Sequence, residues 1–146
     1  MPSKPVERFP GFKGCMNMLR NRKNAIVQEE AYFWLLPRVG EFVEPLLAEL
    51  DAENDPRMQG WILELLSAAR DVRTLPVFVQ YLFSPIEQVR EWAEIGLREL
   101  GQTREGRKVL WGAYQQQHML LALPDEHDGQ RLRAVLANIL HIRHPF

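Results

Sequence analysis

The stretch that decides the fold runs from Ser84 to Gly101 and reads SPIEQVREWAEIGLRELG. Apolar and small residues recur in it at steps of three and four, which is the spacing of one face of an α-helix. Pro85 suits the first turn of a helix, Ser84 suits the cap before it, and Gly101 suits the position after the last turn. The stretch therefore predicts an amphipathic helix over 84–100 with one buried side.

The pattern of this stretch also occurs 31 residues earlier, without a gap. Trp61 corresponds to Trp92, and Pro45 corresponds to Pro76 in the shorter helix that precedes each stretch. A period near 30 residues with two helices per unit is typical of an α-solenoid, in which stacked helix pairs complete one another's core. The repeat therefore predicts an all-α fold, with helices over 41–50, 55–69, 74–83 and 84–100.

A third copy of the unit follows, and it carries an insertion. Leu132 lies 43 residues after its counterpart Val89, so 12 extra residues separate the two helices of this copy, within the region 118–128. We expect about three helix pairs, an alpha-alpha superhelix, with units over 41–70, 72–101 and 103–142.

The segment before the repeats divides into a basic part and an acidic part. Residues 1–23 have a local charge balance of +5, and residues 24–55 have a balance of −7, although the whole chain sums to only −1. The prolines and glycines of residues 1–14 predict an extended arm. An extra helix is predicted over 24–36 with Asn24 as its N-cap. We thus divide the chain into a basic arm, 1–23, and a single repeat domain, 24–146. The arm docks on the acidic segment, remains a solvated tail or seeks a partner; these alternatives stay open.

The stretch from Ser84 to Gly101 resembles the second helix of HEAT and HEAT-like repeats, especially the short bacterial repeats related to phycobilisome-lyase units. The resemblance rests on the Pro start, the Val89-Arg90 pair and the closing Leu-x-x-Leu-Gly. Residues 55–66 are a weaker copy, in which Gln59 replaces the Arg of the pattern. The resemblance covers about residues 40–142. It implies an armadillo-like solenoid, and the family includes adaptors, lyase-type chaperones and toxin-immunity proteins.

Composition excludes several classes of protein. The 146 residues are 46% hydrophobic and 25% charged, which is ordinary for a folded domain. The single cysteine, Cys15, excludes an internal disulfide and a Cys-rich zinc site. The first twenty residues contain no apolar signal region, and no apolar run approaches the ~20 residues of a membrane helix. We therefore expect a cytoplasmic protein with no membrane contact.

Catalytic and metal-binding motifs are weak. His141 and His144 could share a helix face, and His127 lies between two acidic residues, but no further ligand has suitable spacing. Cys15 lies in the arm without a motif that would bring a histidine to it. The sequence contains no phosphate-binding glycine loop and no dinucleotide fingerprint. These observations predict that the protein is not an enzyme and has no metal or cofactor.

The tryptophans, the arginines of the repeat and the glycines inside helices are predicted to have structural roles. We expect the four tryptophans to fill the core rather than bind a ligand. Arg90 and Arg133 occupy the arginine position of the repeat and are expected to bridge neighbouring units. Glycine inside a helix costs ~1 kcal/mol relative to alanine, so Gly60, Gly96 and Gly112 predict close approaches between helices.

The leading functional hypothesis is a scaffold that binds a protein or peptide on the concave face formed by the second helices. The repeat register places the following residues on that face: Gln59, Gly60, Leu63, Glu91, Glu94, Arg98, Ala134 and Asn138. The alternative is a nucleic-acid-associated protein that uses the basic arm and a stripe of Arg57, Arg90 and Arg133. The oligomeric state stays open.

Overall fold

The computed structural model describes residues 8–120 and 126–141, and it describes side chains for 8–115 and 129–141. Every regular element in these residues is helical. The α-helices are α1 (Phe12–Leu19), α2 (Ala25–Leu35), α3 (Val43–Ala52), α4 (Pro56–Ala69), α5 (Leu75–Tyr81), α6 (Glu87–Leu100), α7 (Arg104–Leu120) and α8 (Glu126–Leu140). Short 3-10 helices at Leu36–Glu41 and Val72–Thr74 precede α3 and α5. The predicted all-α class is confirmed for the described residues.

Two helix starts form as their sequences predict. The Asn24 side chain accepts a hydrogen bond of 3.2 Å from the Val27 N–H at the start of α2. The Asp55 carboxylate accepts one of 3.1 Å from the Arg57 N–H, and Pro56 occupies the first position of α4. Each cap satisfies a backbone donor that the first turn of a helix leaves without a partner.

Two other predicted helix starts were wrong in detail, whereas Gly101 follows the last residue of α6 as predicted. Helix α6 begins at Glu87, because the Ser84 hydroxyl accepts from the Ile86 N–H (3.1 Å) in a turn that precedes the helix. The Thr74 hydroxyl does not cap α5, since it donates to the Asp71 carbonyl at 2.6 Å. Gly101 has a right-handed backbone with φ of −65°. A glycine fits at this position because a Cβ on residue 101 would lie only 2.8 Å from Ile139 Cγ2.

The arm is not extended throughout, because residues 12–19 form α1. The last proline of the arm, Pro10, lies before this helix, so nothing in the helix interrupts its hydrogen bonds. Cys15 and Leu19 are buried. The Phe9 and Phe12 rings lie 5.8 Å and 5.3 Å from the Phe42 ring. The arm therefore packs against the rest of the protein through these two phenylalanines.

Helices α4 and α6 form the centre of the molecule and pack most extensively against each other. Helix α3 packs on α4, α5 packs on α6, and α7 packs on α8. Gly96 in α6 permits the contact with α5: a Cβ at this position would lie 2.2 Å from the Phe78 ring, which is fully buried. Helix α1 packs on α2 at the amino-terminal end.

The insertion in the third unit lengthens a helix. Helix α7 has 17 residues, whereas its counterpart α5 has 7, and α7 continues through Leu120. The predicted insertion, 118–128, lies partly in α7 and α8, and its residues 121–125 lie outside the described part of the chain.

Candidate functional site

A groove of about 680 Å³ lies between the end of α1, α2, α4 and the start of α6. Trp61 and Glu64 of α4 line it together with Trp92 and Gln88 of α6. Sites for small molecules commonly enclose about 300–1,000 Å³, so the volume suits a ligand of moderate size. We call it the Trp61–Trp92 groove.

The two indoles of the groove come from equivalent positions of adjacent repeats. Trp92 lies against α4 where Gly60 has no side chain: a Cβ on Gly60 would lie 3.7 Å from Trp92 Cδ1. The Trp61 ring lies 5.6 Å from the Tyr32 ring of α2. Both indoles are partly buried, so each has one side in the core and another available to the groove. Aromatic walls of this kind suit a flat apolar ligand.

Arginines occupy one edge of the groove, and two of them are already paired with carboxylates. Arg20 bonds to Glu49 at 3.2 Å and to Glu53 at 2.5 Å, and Arg22 pairs with Asp55. In the structure these two arginines of the basic arm dock on the acidic segment, which is one of the alternatives that the sequence leaves open. They gain hydrogen bonds that raise the pKa of Arg20 and lower the pKa of the Asp55 carboxyl.

Arg57, at the same edge of the groove, differs from Arg20 and Arg22 in its pairing. It is exposed and lines the groove; its backbone N–H donates to the Asp55 carboxylate, but its guanidinium forms no salt bridge within 4.0 Å among the described side chains. Its guanidinium is therefore available to a carboxylate of a ligand, for which its planar donors are well suited.

Glu64 is an acidic group of the groove, in addition to Asp55. Partial burial raises the pKa of its carboxyl above the ordinary value, because the charged form loses solvation. Tyr32 lies nearby: its pKa is raised by burial and further by the negative charge of Glu64. A half-buried carboxyl beside aromatic rings can accept a hydrogen bond from a ligand N–H or, when protonated, donate one.

Of the eight residues predicted to meet a partner, the three from α4 are not presented as expected. Leu63 is fully buried and Gly60 is buried beneath Trp92, so the prediction that they face outward was wrong. The neighbouring repeat covers this side of α4, since α6 packs along it. Gln59 is half-buried, and its amide donates to the Glu53 carbonyl at 2.9 Å.

The five remaining residues lie at the surface of α6 and α8. Glu91, Arg98, Ala134 and Asn138 are exposed, and Glu94 is half-exposed. Glu91 and Glu94 share a shallow depression with Arg131, and Arg98 and Asn138 line another. The surface formed by these five residues is mixed in charge, as expected.

The two arginines at the repeat position bond locally and do not bridge units. Arg90 donates to the Ser84 carbonyl at 2.8 Å, in the turn before its own helix. The Arg133 guanidinium lies 5.1 Å from the Tyr114 ring centre within the third unit. Two of the three arginines of the proposed nucleic-acid stripe, Arg90 and Arg133, therefore have intramolecular contacts. The expected bridges between neighbouring units are not formed by these contacts.

Two further structural predictions need correction. Trp111 is 44% exposed and stacks on Tyr114 at 5.7 Å, so it does not fill the core. Gly112 has no close neighbour, because a Cβ there would meet nothing within 4 Å. The prediction of a close approach holds for Gly96 and, in looser form, for Gly60.

The described residues contain no cluster of three or more His, Cys, Asp or Glu side chains that could hold a metal ion. His127 and His144 lie outside the described side chains. Burial raises the pKa of the Cys15 thiol, which disfavours the reactive thiolate. Within the described ranges, no helix is both long enough and apolar enough to span a membrane.

The sequence did not predict the groove, because all four tryptophans were assigned to the core. Trp61 and Trp92 share a repeat position, and that equivalence was the available signal that two indoles would lie on adjacent helices. The contributions of Arg57 and Glu64 had no signal in the sequence, since single charged residues on a helix are ordinarily solvated.

Comparison with known proteins gives one weak relationship. The chain is 29% identical over 100 residues to the bilin biosynthesis protein PecF from Mastigocladus laminosus. The similarity covers 65% of this chain and 47% of that protein, so the chain spans about half the length of the curated relative it matches. No protein-family model matches the chain, and no solved structure matches it.

This relationship gives coarse support to the resemblance to lyase-type helical repeats. It also overturns the prediction that the protein is not an enzyme, because the relative is named for a role in biosynthesis. The absence of sequence motifs for metals, phosphates and nucleophiles was therefore an insufficient basis for excluding catalysis.

Proposed function

We propose that this protein is a lyase-type helical-repeat protein that holds a bilin-like ligand, an open-chain tetrapyrrole, in the Trp61–Trp92 groove. The carrying observation is the pair of indoles from equivalent repeat positions, with a free arginine and a half-buried carboxyl between the same helices. The similarity to a bilin biosynthesis protein supports the choice of ligand class.

The chemistry of a bilin corresponds to the groove group by group. Its conjugated rings are flat and apolar, and they would stack on Trp61 and Trp92. Its propionate groups would pair with Arg57, whose guanidinium has no carboxylate partner among the described side chains. Its pyrrole N–H groups would donate to Glu64. The groove would thus orient the pigment and shield part of it from water. A reaction that transfers the pigment to an acceptor molecule requires such an orientation.

We further propose that α3 with α4, α5 with α6 and α7 with α8 are three stacked pairs of an α-solenoid. In this arrangement α4 and α6 are neighbouring second helices, and their packing supports the proposal. The groove is then a product of repeat stacking, because each of its indoles comes from a different unit.

The proposed ligand is tested by titrating the protein with biliverdin while following its visible absorption and induced circular dichroism. Binding should produce a circular dichroism band in the visible region and quench tryptophan fluorescence. Trp61→Leu and Trp92→Leu should each weaken binding by roughly ten-fold or more. Trp111→Leu is the matched control, since Trp111 lies outside the groove, and it should bind as the wild type does.

The role of Arg57 has its own control in the ligand. Arg57→Gln should weaken binding of biliverdin but should not weaken binding of biliverdin dimethyl ester, which carries no propionate charge. Wild-type binding by both tryptophan variants, with folding verified by far-ultraviolet circular dichroism, would refute the proposed site.

A second candidate function is binding of a protein partner on the exposed surface of α6 and α8. The favouring observation is that Glu91, Glu94, Arg98, Ala134 and Asn138 occur together there, with mixed charge and exposed apolar atoms. Affinity purification with mass spectrometry should recover a specific protein with the wild type and lose it with Glu91→Lys/Glu94→Lys. Glu41→Lys, exposed at the end of the first 3-10 helix, is the control. Recovery that is unchanged by the double reversal would contradict this candidate.

A further inference from the structure

Helix α2 carries apolar side chains on two opposite sides. Ala31 and Leu35 are buried on the side that faces the rest of the protein. Ile26 and Phe33 are 70% and 68% exposed on the other side. These two residues are seven apart, so they lie on nearly the same line along the helix. Two large apolar side chains exposed together on one helix face are typical of an interaction surface.

Carboxylates flank this apolar line. Glu29 and Glu30 are both exposed. At 100° per residue they lie on either side of the line through Ile26 and Phe33. We call this the α2 face. It is apolar along its centre and negative at both edges, so it fits a surface that is apolar and positively charged.

Helix α7 carries a surface of that complementary kind. Trp111 is 44% exposed, and it stands one turn and two turns from the exposed cations Lys108, Arg107 and Arg104. These four residues form the α7 face. Among the described elements, α7 packs on α6 and α8, whereas α2 packs on α1 and the first 3-10 helix. The two faces therefore belong to different ends of the helix sequence.

We propose that the α2 face of one copy of this protein docks on the α7 face of a second copy. Ile26 and Phe33 would cover Trp111, and Glu29 and Glu30 would pair with the cations of α7. Because the two faces differ, the contact is head-to-tail and leaves one face of each kind open at the ends of a dimer. Such contacts continue into a ring or a longer chain.

The dimensions of the helices predict a reversible association. Helix α2 has 11 residues and is therefore about 16 Å long, which is short for a stable interface. Opposite charges on the two faces predict that association weakens as salt rises. This inference is independent of the ligand proposed for the Trp61–Trp92 groove, because none of the eight side chains of the two faces lines it.

Sedimentation velocity over a range of protein concentrations tests the contact. Wild type should show an average mass that rises with concentration and falls with added salt. Glu29→Lys/Glu30→Lys should be monomeric, because two positive faces would meet, and Arg104→Glu/Lys108→Glu should be monomeric for the opposite reason.

Mixing these two variants provides the decisive measurement. Contacts between like variants are mismatched, but both contacts between unlike variants are matched, one as in wild type and the other with both charges reversed. The mixture should therefore form assemblies in which the two variants alternate. A variant with all four reversals should recover concentration-dependent assembly. A wild type that stays monomeric at high concentration, or a mixture that stays monomeric, would overturn the proposal.

Discussion

Alanine substitutions at Gly96 and Gly112 should change stability in opposite directions. Both glycines lie inside helices, α6 and α7, and the sequence predicts a close approach between helices at both. In the structure, a Cβ on Gly96 would lie 2.2 Å from Phe78 Cε1, 2.3 Å from Cζ and 2.5 Å from Cδ1. A Cβ on Gly112 would meet nothing within 4 Å.

The magnitude follows from two opposing effects. Replacement of a mid-helix glycine by alanine stabilises the helix by about 1 kcal/mol, and both variants receive this gain. Gly96→Ala also forces the Phe78 ring to move, and this ring is fully buried and has no solvent to move into. Overpacking of a core costs about 1–3 kcal/mol. The two variants should therefore differ by about 1–3 kcal/mol, with Gly112→Ala more stable than wild type.

Urea denaturation followed by circular dichroism measures both free energies of unfolding. Phe78→Leu in combination with Gly96→Ala should recover part of the loss, since leucine vacates the space that the new methyl group needs. Gly96→Ala would refute the close packing of α5 on α6 if it stabilised the protein as much as Gly112→Ala. Additive effects of Gly96→Ala and Phe78→Leu would also contradict a direct contact.

Three further predictions concern buried or paired groups. Leu63→Ala should lower the free energy of unfolding by about 2–5 kcal/mol in urea denaturation, because Leu63 is fully buried, whereas Asn138→Ala on the exposed side of α8 should change it by about 0.5 kcal/mol or less; equal effects would contradict the assigned burial. The pKa of Asp55 is lowered below its ordinary 3.8, chiefly by the hydrogen bond from Arg22, so its ionised form stabilises the folded state above pH 3.8 and this contribution is lost as pH falls through the folded-state pKa; thermal unfolding between pH 2 and 6 should show a shallower acid loss for Asp55→Asn, and an unchanged slope would count against the ion pair. Alkylation of Cys15 by iodoacetamide at pH 8, followed by mass spectrometry, should be roughly a hundred-fold or more slower than in urea, because the thiol is buried and its pKa is raised. Equal rates would contradict the burial of Cys15 where α1 packs on the rest of the protein.

Much of the fold was predictable because its information is local. Helix starts are specified within a few neighbouring residues by the capping residues Asn24 and Asp55 and by Pro56. The period of 31 residues repeats such a local pattern along the chain. The helix α1 was missed because glycines and a nearby proline weaken the local signal, and burial of Cys15, Met16 and Leu19 compensates for that weakness. Burial is a property of the folded chain, so the sequence pattern of a short segment does not contain it.

The candidate site was much less predictable, because it depends on which faces of different helices meet. The sequence identified Trp61 and Trp92 as equivalent, but they share a groove because α4 and α6 pack against each other. The sequence also showed a +5 arm before a −7 segment, and only the structure pairs Arg20 with Glu49 and Glu53.

The sequence by itself thus determined the all-α class, the repeat and most helix boundaries, since hydrogen bonds and apolar spacing within a helix depend on residues three and four apart. The tertiary structure alone decided which of the repeat positions are exposed. Leu63 and Glu94 occupy equivalent positions 31 residues apart, yet one is fully buried and the other half-exposed. The physical reason is that the two helices have different neighbours: α4 packs extensively on α6, whereas α6 packs only weakly on α7 and α8.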